Sequence, residues 1–184
     1  AMDSLRAGDW LLVSGHLASD TLAFALAQAR ALGLKTALNL APVPFDYRDL
    51  WPAIDLVIAN AAELTMHTGA GELTAGIATL RAAGVRELLI TLGAEGALLA
   101  AATQNVRMPA PKVAAVDTTG AGDLLAGTFL GLLERGIDRQ TALWVAVEAA
   151  AAKISRPGTL SAFPERHAID RLVAAAATQL RKGP

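Results

Sequence analysis

IDLVIA at residues 54–59 and ELLITL at residues 87–92 are short apolar runs in which Leu, Val and Ile predominate. Runs of this length and composition are typical of strands that are buried on both faces of a sheet. Between them, residues 60–67 and 73–83 predict helices, each followed by a glycine that can end a helix. A strand, helical segments and a second strand in this order predict parallel strands joined by a crossover.

The same alternation continues toward both ends of the chain. Further strands are predicted at 10–14 and 35–40, an antiparallel hairpin at 97–101 and 106–108, and helices at 20–32, 122–135, 139–154 and 165–180. Because helices that alternate with parallel strands cover both faces of a sheet, we expect a three-layer α/β/α fold. No repeat or linker divides the sequence, so residues 1–184 are predicted to form a single α/β domain.

The composition excludes several classes of protein. The 16 basic and 17 acidic side chains give a net charge of −1, so the chain lacks the basic surface that a nucleic-acid backbone requires. It has no cysteine, which excludes disulfides, a thiolate nucleophile and Cys-ligated metals. The most apolar stretches, residues 124–133 and 142–152, are shorter than the roughly 20 residues that cross a membrane. We therefore expect a cytoplasmic protein that binds neither nucleic acid nor membrane.

The segment with the clearest chemical meaning is DTTGAGD at residues 117–123, which leads directly into an apolar helix. Gly120 and Gly122 allow backbone N–H groups to converge where a Cβ would interfere, and the start of the helix adds free donors and a positive dipole end. Such a place suits a phosphoryl group, and the Asp123 carboxylate beside it can accept a proton from an attacking hydroxyl. Taken alone, the same residues also fit a glycine turn with Asp123 as an ordinary helix-start residue.

The full string is similar to the second signature of the ribokinase-like (PfkB) carbohydrate kinases. Three further segments resemble elements of that family and occur in its order: NAAE at residues 60–63, TLGAEG at 91–96 and SRPGT at 155–159. The resemblance covers essentially the whole chain but only the later part of the family's sequence. It implies the ribokinase-like fold and ATP-dependent phosphotransfer to a hydroxyl of a sugar or related small molecule.

The resemblance also implies roles for individual residues. Asp123 would deprotonate the substrate hydroxyl, and the backbone of Gly120, Ala121 and Gly122 would form the anion hole for the γ-phosphoryl group of ATP. Asn60 and Glu63 would help position Mg²⁺, through water, and the nucleotide phosphates.

Further residues would belong to the nucleotide and cation sites. Thr91, Gly93 and Gly96 would line the nucleotide site. Asp117 and Thr119, with the loop at residues 155–161, would lie near the K⁺ site of many members.

Two of these segments have simpler interpretations when taken alone. Asn60 and Glu63 also match a capping box, in which an N-cap side chain and the residue three positions later bond to each other's backbone. Residues 91–96 also match a plain turn rich in glycine. The joint occurrence of the segments favours the kinase interpretation.

The earlier part of the family's chain, with its Gly-Gly signature and β lid, has no counterpart in this sequence. We therefore expect the C-terminal nucleotide-binding part of such a kinase, with the lid missing and the sheet edge at residues 10–14 covered by a second copy or another partner. The alternative is a non-catalytic nucleotide-binding or interaction module derived from such a kinase.

Overall fold

The computed structural model describes residues 5–41, 47–102 and 104–181. Six strands are hydrogen-bonded in the order β1-β2-β3-β4-β5-β6, which is also their order along the chain. The strands are β1 Trp10–Ser14, β2 Lys35–Asn39, β3 Leu56–Asn60, β4 Glu87–Thr91, β5 Ala97–Ala100 and β6 Asn105–Met108. The helices are α1 Ser19–Ala31, α2 Ala61–Thr68, α3 Leu73–Ala82, α4 Ala121–Glu134, α5 Arg139–Ile154 and α6 Arg166–Arg181. The predicted α/β class with a mostly parallel sheet is confirmed.

The first four strands are parallel, and their register brings strand ends together. Trp10 lies opposite Lys35 where β1 meets β2, and Asn60 lies opposite Thr91 as the last pair of β3 and β4. Residues 57–59 and 88–90 of these strands are buried throughout, as expected for strands covered on both faces. The periodicity therefore located the central strands correctly.

The largest difference from the predicted strand bounds occurs at β3, which begins two residues later than predicted. A short 3₁₀ helix at Trp51–Ala53 directly precedes this strand. The Asp55 carboxylate accepts a hydrogen bond of 3.0 Å from the backbone N–H of Thr36. The N–H of Ile54 still donates to the Trp51 carbonyl of the 3₁₀ helix at 3.0 Å, so β3 starts only after this turn, at Leu56.

The chain divides into two compact units, Ala1–Thr91 with Leu98–Asn105 and Leu92–Ala97 with Val106–Pro184. In the first unit, the strands bury Leu38, Leu56 and Leu88 completely, and α1 covers them with Leu22 and Leu26. In the second unit, α4 packs against α5 and α5 against α6. No helix in the described ranges is both long and apolar enough to span a bilayer.

The helical core of the second unit is tightly packed because α5 is rich in alanine. Ala142, Ala146 and Ala149 are fully buried, and so is Phe129 of α4. Small side chains let neighbouring helices approach closely, which fixes the position of the α4 N-terminus. The loop that precedes α4 is therefore built on a rigid support.

Candidate active site

The loop at residues 117–120 places the N-terminus of α4. Gly120 is the N-cap residue and has a left-handed backbone with φ of 77°. Its carbonyl accepts the first helical hydrogen bond, from the N–H of Leu124 at 2.9 Å. The N–H groups in the first turn of an α-helix have no acceptor within the helix, and the helix dipole is positive there. The N–H of Ala121 already donates to the Thr118 carbonyl at 3.1 Å, so the anion site expected at the start of α4 stays a prediction.

A second segment packs directly against this loop. A Cβ atom built on Gly120 would lie 2.8 Å from Cγ2 of Thr159, closer than real Cβ contacts allow. A Cβ on Gly122 would have no neighbouring atom within 4 Å. Gly120 is therefore required for packing and backbone conformation, whereas the space beside Gly122 is open to an incoming group.

Asp117 begins the loop and is held by backbone donors on both sides. Its Oδ1 atom accepts from the N–H of Thr119 at 2.9 Å, and its Oδ2 atom accepts from the N–H of Gly158 at 3.0 Å. The hydrogen bonds from Thr119, then that from Gly158 and the charge of Lys153, lower the pKa of Asp117 to about 2. The carboxylate is therefore charged at neutral pH and joins the loop to the segment that follows α5.

Lys153 lies beneath the same loop, and sequence reasoning did not identify it. Its side chain is fully buried, and Nζ donates a 2.8 Å hydrogen bond to the backbone carbonyl of Asp117. The same nitrogen lies 3.7 Å from Oδ1 of Asp117. The available signal was a single charged residue in the alanine-rich last part of this helix.

Asp123 stands in the first turn of α4, where it is exposed. It lies at the edge of an open groove of about 400 Å³. The groove is lined by one face of α4 and the segment that leads into α6: Asp123, Leu124, Gly127, Thr128, Gly131, Leu132, Arg135, Phe163, Pro164, Arg166 and Ile169. The carboxylate that the sequence singled out therefore lines this groove, whose lining does not include Gly120, Ala121 or Gly122.

Asn60 and Glu63 form the capping box that the sequence allowed as an alternative. The Asn60 side chain accepts from the N–H of Glu63 at 2.8 Å, and the Glu63 carboxylate accepts from the N–H of Asn60 at 2.8 Å. Asn60 also ends β3 opposite Thr91 of β4. Three of the predicted site residues therefore meet at the carboxyl ends of two parallel strands.

The turn at residues 92–96 joins β4 to β5 and depends on Gly96. Gly96 has φ of 95°, and a Cβ built on it would lie 2.0 Å from the backbone oxygen of Met108. The N–H of Leu92 donates to the Gly96 carbonyl at 2.8 Å, which closes the turn. Gly93 starts a 3₁₀ turn with φ of 60° and has no close neighbour. The plain-turn alternative is therefore confirmed as the local conformation.

The predicted residues fall into two groups. Asn60, Glu63 and Thr91 belong to the first compact unit, whereas Gly93, Gly96 and the residues of the 117–123 loop belong to the second. In the described part of the chain, no cluster of three or more His, Asp or Glu side chains could enclose a metal ion. Mg²⁺ does not require such a cluster, because it usually keeps several waters and binds one or two carboxylates together with phosphate oxygens.

Comparison with known proteins identifies the family. The family described as pfkB family carbohydrate kinase matches residues 2–166. The chain belongs to this family. The deoxyribokinase of Salmonella typhimurium is 28% identical over 170 residues, which cover 89% of this chain and 56% of that protein. The chain therefore spans about half the length of the curated relatives it matches.

Solved structures of PfkB-like kinases show the same fold. Aminoimidazole riboside kinase from Salmonella enterica, complexed with aminoimidazole riboside and an ATP analogue, is 25% identical and superposes with a TM-score of 0.79 over 92% of this chain and 64% of that one. A fructokinase double mutant from Vibrio cholerae, in a fructose-, ADP- and potassium-bound form, is 23% identical with a TM-score of 0.77 over 92% and 62% of the two chains. At 23% identity, the similarity to the fructokinase shows only that the two chains share a fold.

Proposed function

We propose that this chain catalyses transfer of the γ-phosphoryl group of ATP to a hydroxyl of a sugar or a related small molecule. The observation that carries the proposal is the position of Asp123, which follows the Gly120–Gly122 backbone in the first turn of α4 and borders an open groove. Membership of the carbohydrate kinase family supports it. Because ATP is the proposed donor, we also propose that the protein is located in the cytoplasm.

Asp123 acts as the base in this proposal. Its carboxylate takes the proton of the acceptor hydroxyl while the hydroxyl oxygen forms a bond to the γ-phosphorus and the bond to the ADP oxygen breaks. An exposed carboxylate at the edge of a groove can reach a bound hydroxyl without moving the helix backbone. One positioned base is enough, since phosphoryl transfer depends mainly on positioning and charge stabilisation.

The backbone of Gly120, Ala121 and Gly122 acts as the anion hole. Donors at a helix N-terminus stabilise the negative charge that spreads over the equatorial oxygens of the transferred group. The open space beside Gly122 lets those oxygens approach the backbone closely. The hydrogen bonds from the N–H groups of Thr119 and Gly158 to the Asp117 carboxylate support the loop before the substrate binds.

The remaining site residues bind the nucleotide. Thr91, Gly93 and Gly96 line its site, and Asn60 and Glu63 orient its phosphates and Mg²⁺ through water. The donor set fits a hard cation, because one Glu63 oxygen accepts from the Asn60 N–H and the carboxylate keeps further acceptor positions. When bound, Mg²⁺ neutralises phosphate charge.

We also propose that a second copy or another chain covers the β1 edge. In the described chain β1 pairs with β2 and is the first strand of the sheet. Leu12 on this strand is 42% exposed and Phe24 on α1 is 66% exposed. An unpaired strand edge beside exposed apolar side chains favours association. Size-exclusion chromatography with light scattering tests this, and a stable monomer at micromolar concentration would contradict it.

A transfer assay with Mg·ATP and a panel of small sugars tests the kinase proposal. Asp123→Asn is expected to lower kcat by about 10²–10⁴-fold while nucleotide binding persists, because the variant keeps the shape but not the base. Glu134→Gln, an exposed carboxylate at the other end of α4, is the matched control and should retain the activity.

Two results would count against this assignment. Full activity of Asp123→Asn would show that another group is the base. Saturable nucleotide binding without transfer to any acceptor would favour the non-catalytic nucleotide-binding module instead.

A further inference from the structure

The buried side chain of Lys153 places its ammonium group against two oxygen atoms of Asp117, in the segment before α4. Lys153 is 0% exposed, and Nζ lies 2.8 Å from the carbonyl oxygen and 3.7 Å from Oδ1 of Asp117. A charge removed from water is stable only when oxygens of this kind surround it. The carbonyl oxygen and Oδ1 of Asp117 therefore already lie beside a cationic group of the protein, the ammonium of Lys153.

The surrounding backbone makes this arrangement part of the fold. The carbonyl oxygen of Ile154, the residue after Lys153, accepts from the N–H groups of Val116 at 2.7 Å and Asp117 at 3.2 Å. The N–H of Gly158 donates to the Asp117 carboxylate. The end of α5, the loop before α4 and the segment after α5 thus meet at one charged residue pair.

We propose that Lys153 is a built-in substitute for a monovalent cation, so that the nucleotide and phosphate site needs no potassium. The relevance of this proposal to the nucleotide and phosphate site depends on the proposed kinase function. An ammonium group and K⁺ carry the same charge, so Nζ at 2.8 Å from the Asp117 carbonyl oxygen and 3.7 Å from Oδ1 repels a K⁺ placed on the same oxygens. Asp117 therefore does not fit a monovalent cation in addition to Lys153. Lys153 is a positioning residue, since it acts on the anion hole through the loop.

Thermal unfolding in matched salts tests the inference without any enzyme assay. A ligand that binds only the native state stabilises it by RT ln(1 + [L]/Kd), so a K⁺ site must show a Tm that keeps rising with the logarithm of the K⁺ concentration above Kd. We expect the wild-type Tm to be the same in KCl and in tetramethylammonium chloride at equal ionic strength. A wild-type Tm that rises with K⁺ concentration, at constant ionic strength, would overturn the proposal.

Lys153→Ala tests the replacement directly. This variant removes the cation and leaves space beside the Asp117 oxygens, so its Tm should fall in tetramethylammonium chloride and rise again with increasing K⁺ or methylammonium at constant ionic strength. Lys112→Ala, an exposed lysine of the same unit, should show neither effect. A Lys153→Ala variant that keeps the wild-type Tm in both salts would contradict the proposal. If the variant does not fold, the wild-type titration alone decides.

Nucleotide binding separates this inference from the proposed function. The Kd of Mg·ATP for the wild-type protein, measured by calorimetry, should differ by less than about twofold between the two salts, because no cation site couples to the nucleotide site. A Kd that tightens about fivefold or more with K⁺ would overturn the substitution. Absence of nucleotide binding in both salts would contradict the proposed function, while the Tm series would still decide the role of Lys153.

Discussion

Gly120 and Thr159 approach so closely that a single added methyl group on Gly120 would lie 2.8 Å from Cγ2 of Thr159. The start of α4 therefore lies close to the segment after α5, although the two residues are 39 positions apart in the sequence (159 − 120). Gly120 also needs a left-handed backbone, which residues with a Cβ adopt at a cost of about 1–2 kcal/mol. The neighbouring Gly122 has neither constraint.

This difference predicts opposite behaviour for two alanine substitutions. Gly120→Ala should lower the free energy of unfolding by about 2 kcal/mol or more, since it combines backbone strain with a steric clash. Gly122→Ala should not reduce stability but should weaken Mg·ATP-dependent transfer, because its methyl group would stand where the phosphoryl oxygens approach. Urea unfolding and transfer kinetics measure the two effects. Equal activity of Gly122→Ala and wild type would remove Gly122 from the anion hole.

The capping box at the end of β3 predicts a stability effect that can be separated from nucleotide binding. Asn60→Ala should cost about 1 kcal/mol of stability, because it removes the acceptor for the Glu63 N–H. Asp138→Ala removes a similar cap from α5, where the Asp138 side chain accepts from the N–H of Thr141, and should cost about the same. Only Asn60→Ala is expected to raise the Kd of Mg·ATP as well. If both variants bind Mg·ATP like the wild type, Asn60 is a structural cap alone.

The turn at residues 92–96 predicts a large difference between its two glycines. Gly93→Ala should lower the free energy of unfolding by about 1–2 kcal/mol, because the left-handed backbone disfavours a Cβ while no neighbouring atom would clash with it. Gly96→Ala should cost more than about 4 kcal/mol or prevent folding, because its Cβ would overlap the Met108 carbonyl oxygen. Chemical denaturation monitored by circular dichroism compares the two. Similar losses for both variants would show that the loop relaxes away from Met108.

The pKa of Asp117 predicts how stability depends on pH in the acid range. The pKa is about 2 in the folded chain and about 3.9 in an unfolded one, so between these values the unfolded state binds more protons. The contribution of the Asp117 carboxylate to the free energy of unfolding is therefore fully present above about pH 4 and is lost as the pH falls toward about 2. Over this pH range, the free energy of unfolding measured with urea should fall less steeply for Asp117→Asn than for the wild type. Parallel profiles would contradict the assignment.

Local sequence patterns were sufficient for most of the fold. The apolar runs located the central strands, and the helical segments with glycines after them predicted α1 to α6 to within about two residues at each end. These features depend on periodicity and turn chemistry, which involve neighbours along the chain. The start of β3 was missed because the 3₁₀ helix at Trp51–Ala53 extends its hydrogen bonding to the N–H of Ile54, and the apolar run alone does not reveal this turn.

The motif residues of the candidate site were also evident before the structure, since DTTGAGD and NAAE combine glycine freedom and carboxylate chemistry within a few positions. Their three-dimensional partners were not evident. Lys153 lies 36 positions after Asp117, and nothing in an alanine-rich helix shows that its one lysine points inward beneath a loop. Burial of a charge and the close approach of Gly120 to Thr159 depend on how α4, α5 and the segment after α5 pack. Such long-range packing exists only once the helices have assembled.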